Sequence, residues 1–286
     1  MNTRSDRTTT ELPAWDALAR MDDDALPLLG TALLIARDEY PELQAGHYDA
    51  LVQSYADALR AEVQAQEAAP ARLTLINHYL FEELGFGGNN DAYTDPRNSY
   101  LNEVFDRKLG IPISLAVVQM EIARRLDVPL DGISFPGHFL VRLPVDDGIL
   151  VMDPFNKGRS LSTDELRDRA SSHFGGQSPD DTELLHILAP ATHRAILMRM
   201  LRNLKALYVD KDDWERVARS SDRILKLAPS LGEEIRDRGL AYLKLGHASG
   251  ARDDLARYLS VQPEAPDAEA IRGLLIEATG KAQRLN

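Results

Sequence analysis

Three polar residues in the middle of the chain have the types and the order that do chemistry: Ser114, His138 and Asp153. Ser114 follows Gly110-Ile111-Pro112 and falls in the first turn of an expected helix. His138 lies in Phe135-Pro136-Gly137-His138-Phe139, and Asp153 in Met152-Asp153-Pro154-Phe155. Hydroxyl, imidazole and carboxylate in that order match a nucleophile, its base and the group that orients the base. Each residue also has a plain role. Serine at a helix start satisfies backbone N–H groups. A histidine among Phe135, Phe139 and Leu140 is at home as a hydrogen-bonded core residue, and an aspartate before proline forms turns.

The elements that would bring the three together are legible around them. From Trp15 to about Leu84 apolar residues recur at helical spacing, with a break expected at Ala69-Pro70 and a third helix over Leu73 to Leu84. Gly85 to Asn90 reads as a loop, and Asp95 to Ser99 as a turn leading into a helix over Tyr100 to Arg107. The apolar run Ile113 to Leu126 predicts a buried helix opened by Pro112, since proline is tolerated in a first helical turn. Two strand-like runs follow, Gly132 to Leu143 and Ile149 to Phe155, joined by a turn over Pro144 to Gly148. A hairpin of that kind places His138 and Asp153 side by side, and the helix start packed on it places Ser114 next to them. Ser162-Thr163-Asp164-Glu165 predicts a capped helix start.

Beyond Pro190 the chain is helical and repeats itself. Pro229 and Pro263, Tyr208 and Tyr242, and Leu225 and Leu259 are each 34 residues apart. That is the tetratricopeptide period, in which stacked helix pairs bury equivalent positions against one another. Arg199, Arg202, Asn203 and Arg236 fall on the first helices of these pairs and are candidates for gripping an acidic peptide end.

Composition narrows the classes. The chain of 286 residues carries 45 acidic and 33 basic residues, a net charge of −12, which argues against a nucleic-acid face and an anionic membrane surface. It has no cysteine, hence no disulfide, thiolate metal site or thiol nucleophile. His173, His186, His193 and His247 lack metal-ligand spacing, and Gly85 to Gly88 lacks the Lys-Ser/Thr of a phosphate loop, so neither a metal nor a cofactor is expected. Residues 1–13 are expected to be a flexible polar tail without a signal-peptide core, which fits a cytoplasmic protein.

Four motifs in order carry a resemblance: Asn98-Ser99-Tyr100-Leu101-Asn102, Gly110-Ile111-Pro112-Ile113-Ser114, Phe135-Pro136-Gly137-His138-Phe139-Leu140 and Asp153-Pro154-Phe155-Asn156. With the repeats, they resemble the SirB-like bacterial family, which joins a transglutaminase-like domain to tetratricopeptide repeats. The resemblance implies an α+β, papain-like helix-plus-antiparallel-sheet domain over residues 14–185. An all-α repeat domain with a capping helix then follows over 190–282. It also implies that Ser114, His138 and Asp153 stand where transglutaminases carry cysteine, histidine and aspartate. A serine hydroxyl is far less acidic than a thiol, so glutamine transamidation is not expected. Two functions follow. The first is a protein- or peptide-binding scaffold with a degenerate transglutaminase-like domain, its partner held by the repeats. The alternative is a serine-dependent hydrolase or acyltransferase acting on an amide or ester.

Overall fold

In a computed structural model of the protein, residues 12–284 are described. All but the last two residues of the expected tail over 1–13 lie outside them. The chain divides into two compact units: Asp22–Leu197, and Ala14–Met21 together with Met198 onward.

The first unit is built around one buried helix. Helices α2 (Leu28–Arg37), α3 (Ala45–Gln64), α4 (Ala69–Asn77) and α5 (Leu101–Arg107) precede α6 (Pro112–Arg125), which packs against all four. Pro70 does not break the chain as expected; it sits in the first turn of α4, where its missing N–H is no loss. After Asn77 the helix widens into a π turn over His78–Glu83. Every residue of α6 from Pro112 to Ala123 is buried, as its mostly apolar run predicts. The polar Gln119 among them donates to Asn77 Oδ1 at 2.5 Å, and Glu121 pairs with Arg124.

The expected loop after Gly85 contains a short strand, β1 (Gly87–Gly88), paired in parallel with β2 (Leu109–Gly110). The main sheet is antiparallel, in the order β3 (Asp131–Ile133), β4 (Leu140–Val145), β5 (Gly148–Asp153) and β6 (Arg159–Ser160). The run predicted as one strand over Gly132 to Leu143 is thus two strands separated by a loop. Gly137 turns that loop with φ 67°, a left-handed conformation that glycine adopts without strain. Val145 pairs with Gly148 across a tight two-residue turn, so Pro144 lies in β4 and not in the turn. One face of the sheet, with Ile133, Leu140 and Val151, is covered by Leu166 and Ala170 of α7 (Thr163–Ser171) and Leu184 of α8 (Asp181–Ile187). The Ser162–Glu165 capping box opens α7 as predicted.

The second unit holds α1 (Trp15–Leu18) and the helices α10 (Trp214–Leu227), α11 (Gly232–Lys244), α12 (Ala248–Val261) and α13 (Ala268–Arg284), together with residues 198–210 of α9 (His193–Asp210). Pro229 and Pro263 fall just after α10 and α12. Leu225, Ile235, Leu255, Tyr258 and Ile271 form the core of the stack, one apolar contribution from each of α10, α11 and α13 and two from α12.

Candidate functional site

Asp153 ends β5, and the register Val141↔Met152 sets that end against the start of β4. The loop turned by Gly137 brings His138 back over it. His138 Nε2 lies 2.8 Å from Asp153 Oδ1. Three further donors converge on the same carboxylate: Asn156 Nδ2 at 2.7 Å, Arg169 Nη1 at 3.1 Å and the Phe155 backbone N–H at 3.1 Å. Asp153 is 0% exposed and His138 22%. Burial alone would raise the carboxyl's pKa; the hydrogen bonds of His138 and Asn156, the nearby imidazole and Arg169 outweigh it and hold the group well below the usual carboxylate range. An ionised carboxylate only accepts, so Nε2 of His138 carries the proton that joins them.

The imidazole stands edge-on to Phe155, with ring centroids 6.2 Å apart. Phe155 in turn lies on Gly88, where a Cβ would meet its ring at 2.5 Å. The short β1 strand therefore has a purpose in the site: its glycine leaves room for the ring that flanks His138. Tyr93, half exposed, meets the other side of Phe155 at 5.8 Å.

Ser114 is placed differently. Its side chain is 0% exposed, in the first turn of α6. The Ile111 N–H donates to Ser114 Oγ at 3.0 Å, and the hydroxyl donates to the Asn98 carbonyl at 2.6 Å, with the Ile111 carbonyl also at 3.0 Å. His138 is not among its hydrogen-bond partners. Gly110 makes this arrangement possible, because a Cβ there would lie 2.7 Å from Ser114 Oγ. The hydroxyl thus ties a helix start to the segment before α5. We expect Ser114→Ala to cost about 1–3 kcal/mol, the usual consequence of leaving a buried donor and acceptor unpaired. Urea denaturation of the two proteins measures it, and an unchanged midpoint would show that these bonds contribute nothing.

Asn98 completes the tie. Its Nδ2 donates to the carbonyls of Ala92 and Tyr93, and its Oδ1 accepts from Asn89 and Arg107. Asn102 is buried one turn on, with no partner for its Oδ1 among the described residues. Asn98 therefore fastens a loop.

Arg202 and Arg236 are both engaged within the chain. Arg202 Nε meets Glu234 Oε1 at 3.1 Å, and Arg236 meets Asp237 and Asp267. Arg199 and Asn203 lie on α9. Sequence reasoning missed Lys205, which joins Glu234 and Asp237, and the buried Glu234 itself. It also missed Arg169 and gave Asn156 no role. Asn156, three residues from Asp153 in a turn motif, had a local signal; Arg169 reaches Asp153 only because the Ser162 cap sets the phase of α7. Among the described residues no cluster of histidines and carboxylates is placed to hold a metal ion, and no helix is long and apolar enough to cross a membrane.

Comparison with known proteins fits this layout. The family model of the transglutaminase-like superfamily matches residues 46–202, and that of a tetratricopeptide repeat matches residues 204–275. A UPF0162 protein of Xylella fastidiosa (strain Temecula1) is 60% identical over 94% of this chain and 96% of its own. UPF0162 protein PA3419 of Pseudomonas aeruginosa is 33% identical over 81% of this chain and 83% of its own. F-box only protein 21 of Mus musculus is 33% identical over 47% of this chain and 21% of its own. No solved structure matches. The chain belongs to the UPF0162 family, in which a transglutaminase-like domain is followed by tetratricopeptide repeats.

Proposed function

We propose that this protein is a protein- or peptide-binding scaffold whose transglutaminase-like domain no longer carries out acyl transfer. The observation that carries the proposal is the state of the Ser114 hydroxyl. A serine nucleophile needs its proton directed at the base. Here the proton is directed at the Asn98 carbonyl, on a side chain closed to solvent. The absence of any cysteine from the chain supports the same reading. The His138–Asp153 pair then acts as a polar clamp, fastening the Gly137 loop to the sheet. Tetratricopeptide repeats commonly present helix faces to partner segments, and the first helices α9 and α11, with Arg199, Arg202, Asn203 and Arg236, are the proposed contact for an acidic peptide end.

One observation favours the second reading, a serine-dependent hydrolase or acyltransferase: the imidazole and carboxylate keep the base-and-orienter geometry. A fluorophosphonate probe separates the two. We expect no labelling of the native protein above that of Ser114→Ala. Labelling of the parent that disappears in the variant and in heat-denatured protein would establish the enzyme.

A further inference from the structure

The second unit contains a cavity of about 580 Å³ that the proposed scaffold role does not use. Four helices build it: α1 with Asp16, Ala19 and Arg20 on and after it, α10 with Asp222, Leu225 and Lys226 and Pro229 after it, and α11 and α12 with a single arginine each. All belong to the same compact unit. Four of the lining side chains are cationic, Arg20, Lys226, Arg238 and Arg257, in a chain whose acids outnumber its bases.

The four cations differ in how far their charge is already answered. Arg238 is fully engaged, with both Asp254 oxygens at 2.7 and 2.8 Å and Asp222 at 2.7 Å. Those bonds keep its guanidinium charged and fixed, as a wall of the cavity. Lys226 is paired with Asp16, whose side chain is largely in solvent, and an exposed pair of that kind is weak and exchangeable. Arg257 donates to the Pro229 carbonyl and meets no carboxylate among the described residues. Arg20 makes no side-chain hydrogen bond or ion pair among the described residues and acts on Asp16 only through space. Two guanidinium groups and an exchangeable ammonium therefore line one cavity with no committed counter-charge. Guanidinium forks suit phosphate and carboxylate oxygens, and Leu225, Ala19 and Pro229 give the cavity an apolar surface beside them.

We propose that this cavity is a binding site for a small anion, a molecule bearing two or more phosphate or carboxylate groups. Arg20 and Arg257 grip the charge, and Lys226 leaves Asp16 to join them. The site is incomplete without α1, because Arg20 follows directly from that helix. Trp15 and Leu18 hold α1 in place, the first beneath the Arg223 guanidinium at 4.8 Å and the second fully buried.

The test is isothermal titration calorimetry of the full chain at low ionic strength, with pyrophosphate in one arm and citrate in the other. We expect saturable binding of one molecule per chain in at least one arm, weakening as salt is added. Pyrophosphate alone would identify a phosphate ligand and citrate alone a carboxylate. Arg20→Gln with Arg257→Gln should weaken the binding at least tenfold. Both side chains are exposed, so the variant should keep its circular dichroism, and each single variant should give an intermediate loss. Arg252→Gln, at a half-buried arginine off the cavity and paired with Asp253, should bind like the parent. No saturable binding in either arm, or an equal loss in Arg252→Gln, would overturn the proposal.

Discussion

Asp153→Ala is expected to lower stability by roughly 3–5 kcal/mol, the usual consequence of removing one partner from a buried charge cluster. The carboxylate is fully buried and gathers four donors. Its loss leaves His138 and Arg169 without their buried partner. For a unit of this size the change corresponds to a fall of roughly 6–20 °C in melting midpoint. The effect also has a pH signature. Asp153 has a folded pKa below its unfolded value of about 3.9, so its contribution is complete above that pH and is lost as the pH falls through it toward the folded value. Asp95 and Glu165 are lowered as well and add to the acid limb of the parent. The comparison that isolates Asp153 is therefore parent against Asp153→Asn, by urea midpoints between about pH 5 and 2. The parent should lose stability across that interval that the variant does not. Parallel acid limbs would mean that the carboxylate is not held in its charged form.

Leu255→Ala is expected to cost about 2–5 kcal/mol, the range for deleting a buried leucine side chain. Leu255 is fully buried in the core of the repeat stack, between Ile235 of α11 and Ile271 of α13. The repeat pattern makes a sharper statement about its neighbour. A Cβ on Gly239 would come within 3.0 Å of Leu255 Cδ2 and 3.1 Å of Asp254 Cβ, so α11 and α12 meet there at glycine distance. In the parent, Gly239→Ala gains up to about 1 kcal/mol of helix propensity and loses a comparable amount to crowding. In the Leu255→Ala background the crowding is relieved and the added methyl occupies part of the gap. Gly239→Ala should then stabilise, with a coupling of about 0.5–3 kcal/mol between the two positions. Additive effects in thermal denaturation would show that the helices do not meet at this pair.

Much of this molecule was readable before its structure. The buried helix from Pro112 declared itself by a mostly apolar run, and the repeats by offsets of 34 residues. Both are signals that one element or one period carries alone. The nearness of His138 to Asp153 was readable from the hairpin, although His138 itself lies in the loop before β4 and not on a strand. What failed was local. Phe135 and Phe139 concealed the loop inside the expected strand, since both are buried although neither lies in a strand; Pro136-Gly137 between them was the turn signal. Pro70 was read as a break because sequence does not distinguish a helix start from a helix end when alanines stand on both sides. The position of Ser114 relative to His138 was the hardest matter. It depends on which way a first-turn hydroxyl rotates, and that was decided by the Asn98 carbonyl, sixteen residues upstream, and by the space that Gly110 leaves. Arg169 and Lys205 reach their carboxylates across tertiary distances that no spacing rule reports.

The state of Ser114 is measured most directly by thiol kinetics on Ser114→Cys. The chain has no cysteine, so the introduced thiol is the one group that responds. A helix N-terminus and an adjacent imidazole would lower its pKa and make it reactive at pH 6. Burial beside the Asn98 carbonyl would do the reverse. The structure predicts that the folded variant reacts with iodoacetamide at pH 6 more slowly than an unfolded control, and that urea removes the protection. Reaction of the folded variant faster than the control would contradict it and show an open, thiolate-stabilising active site.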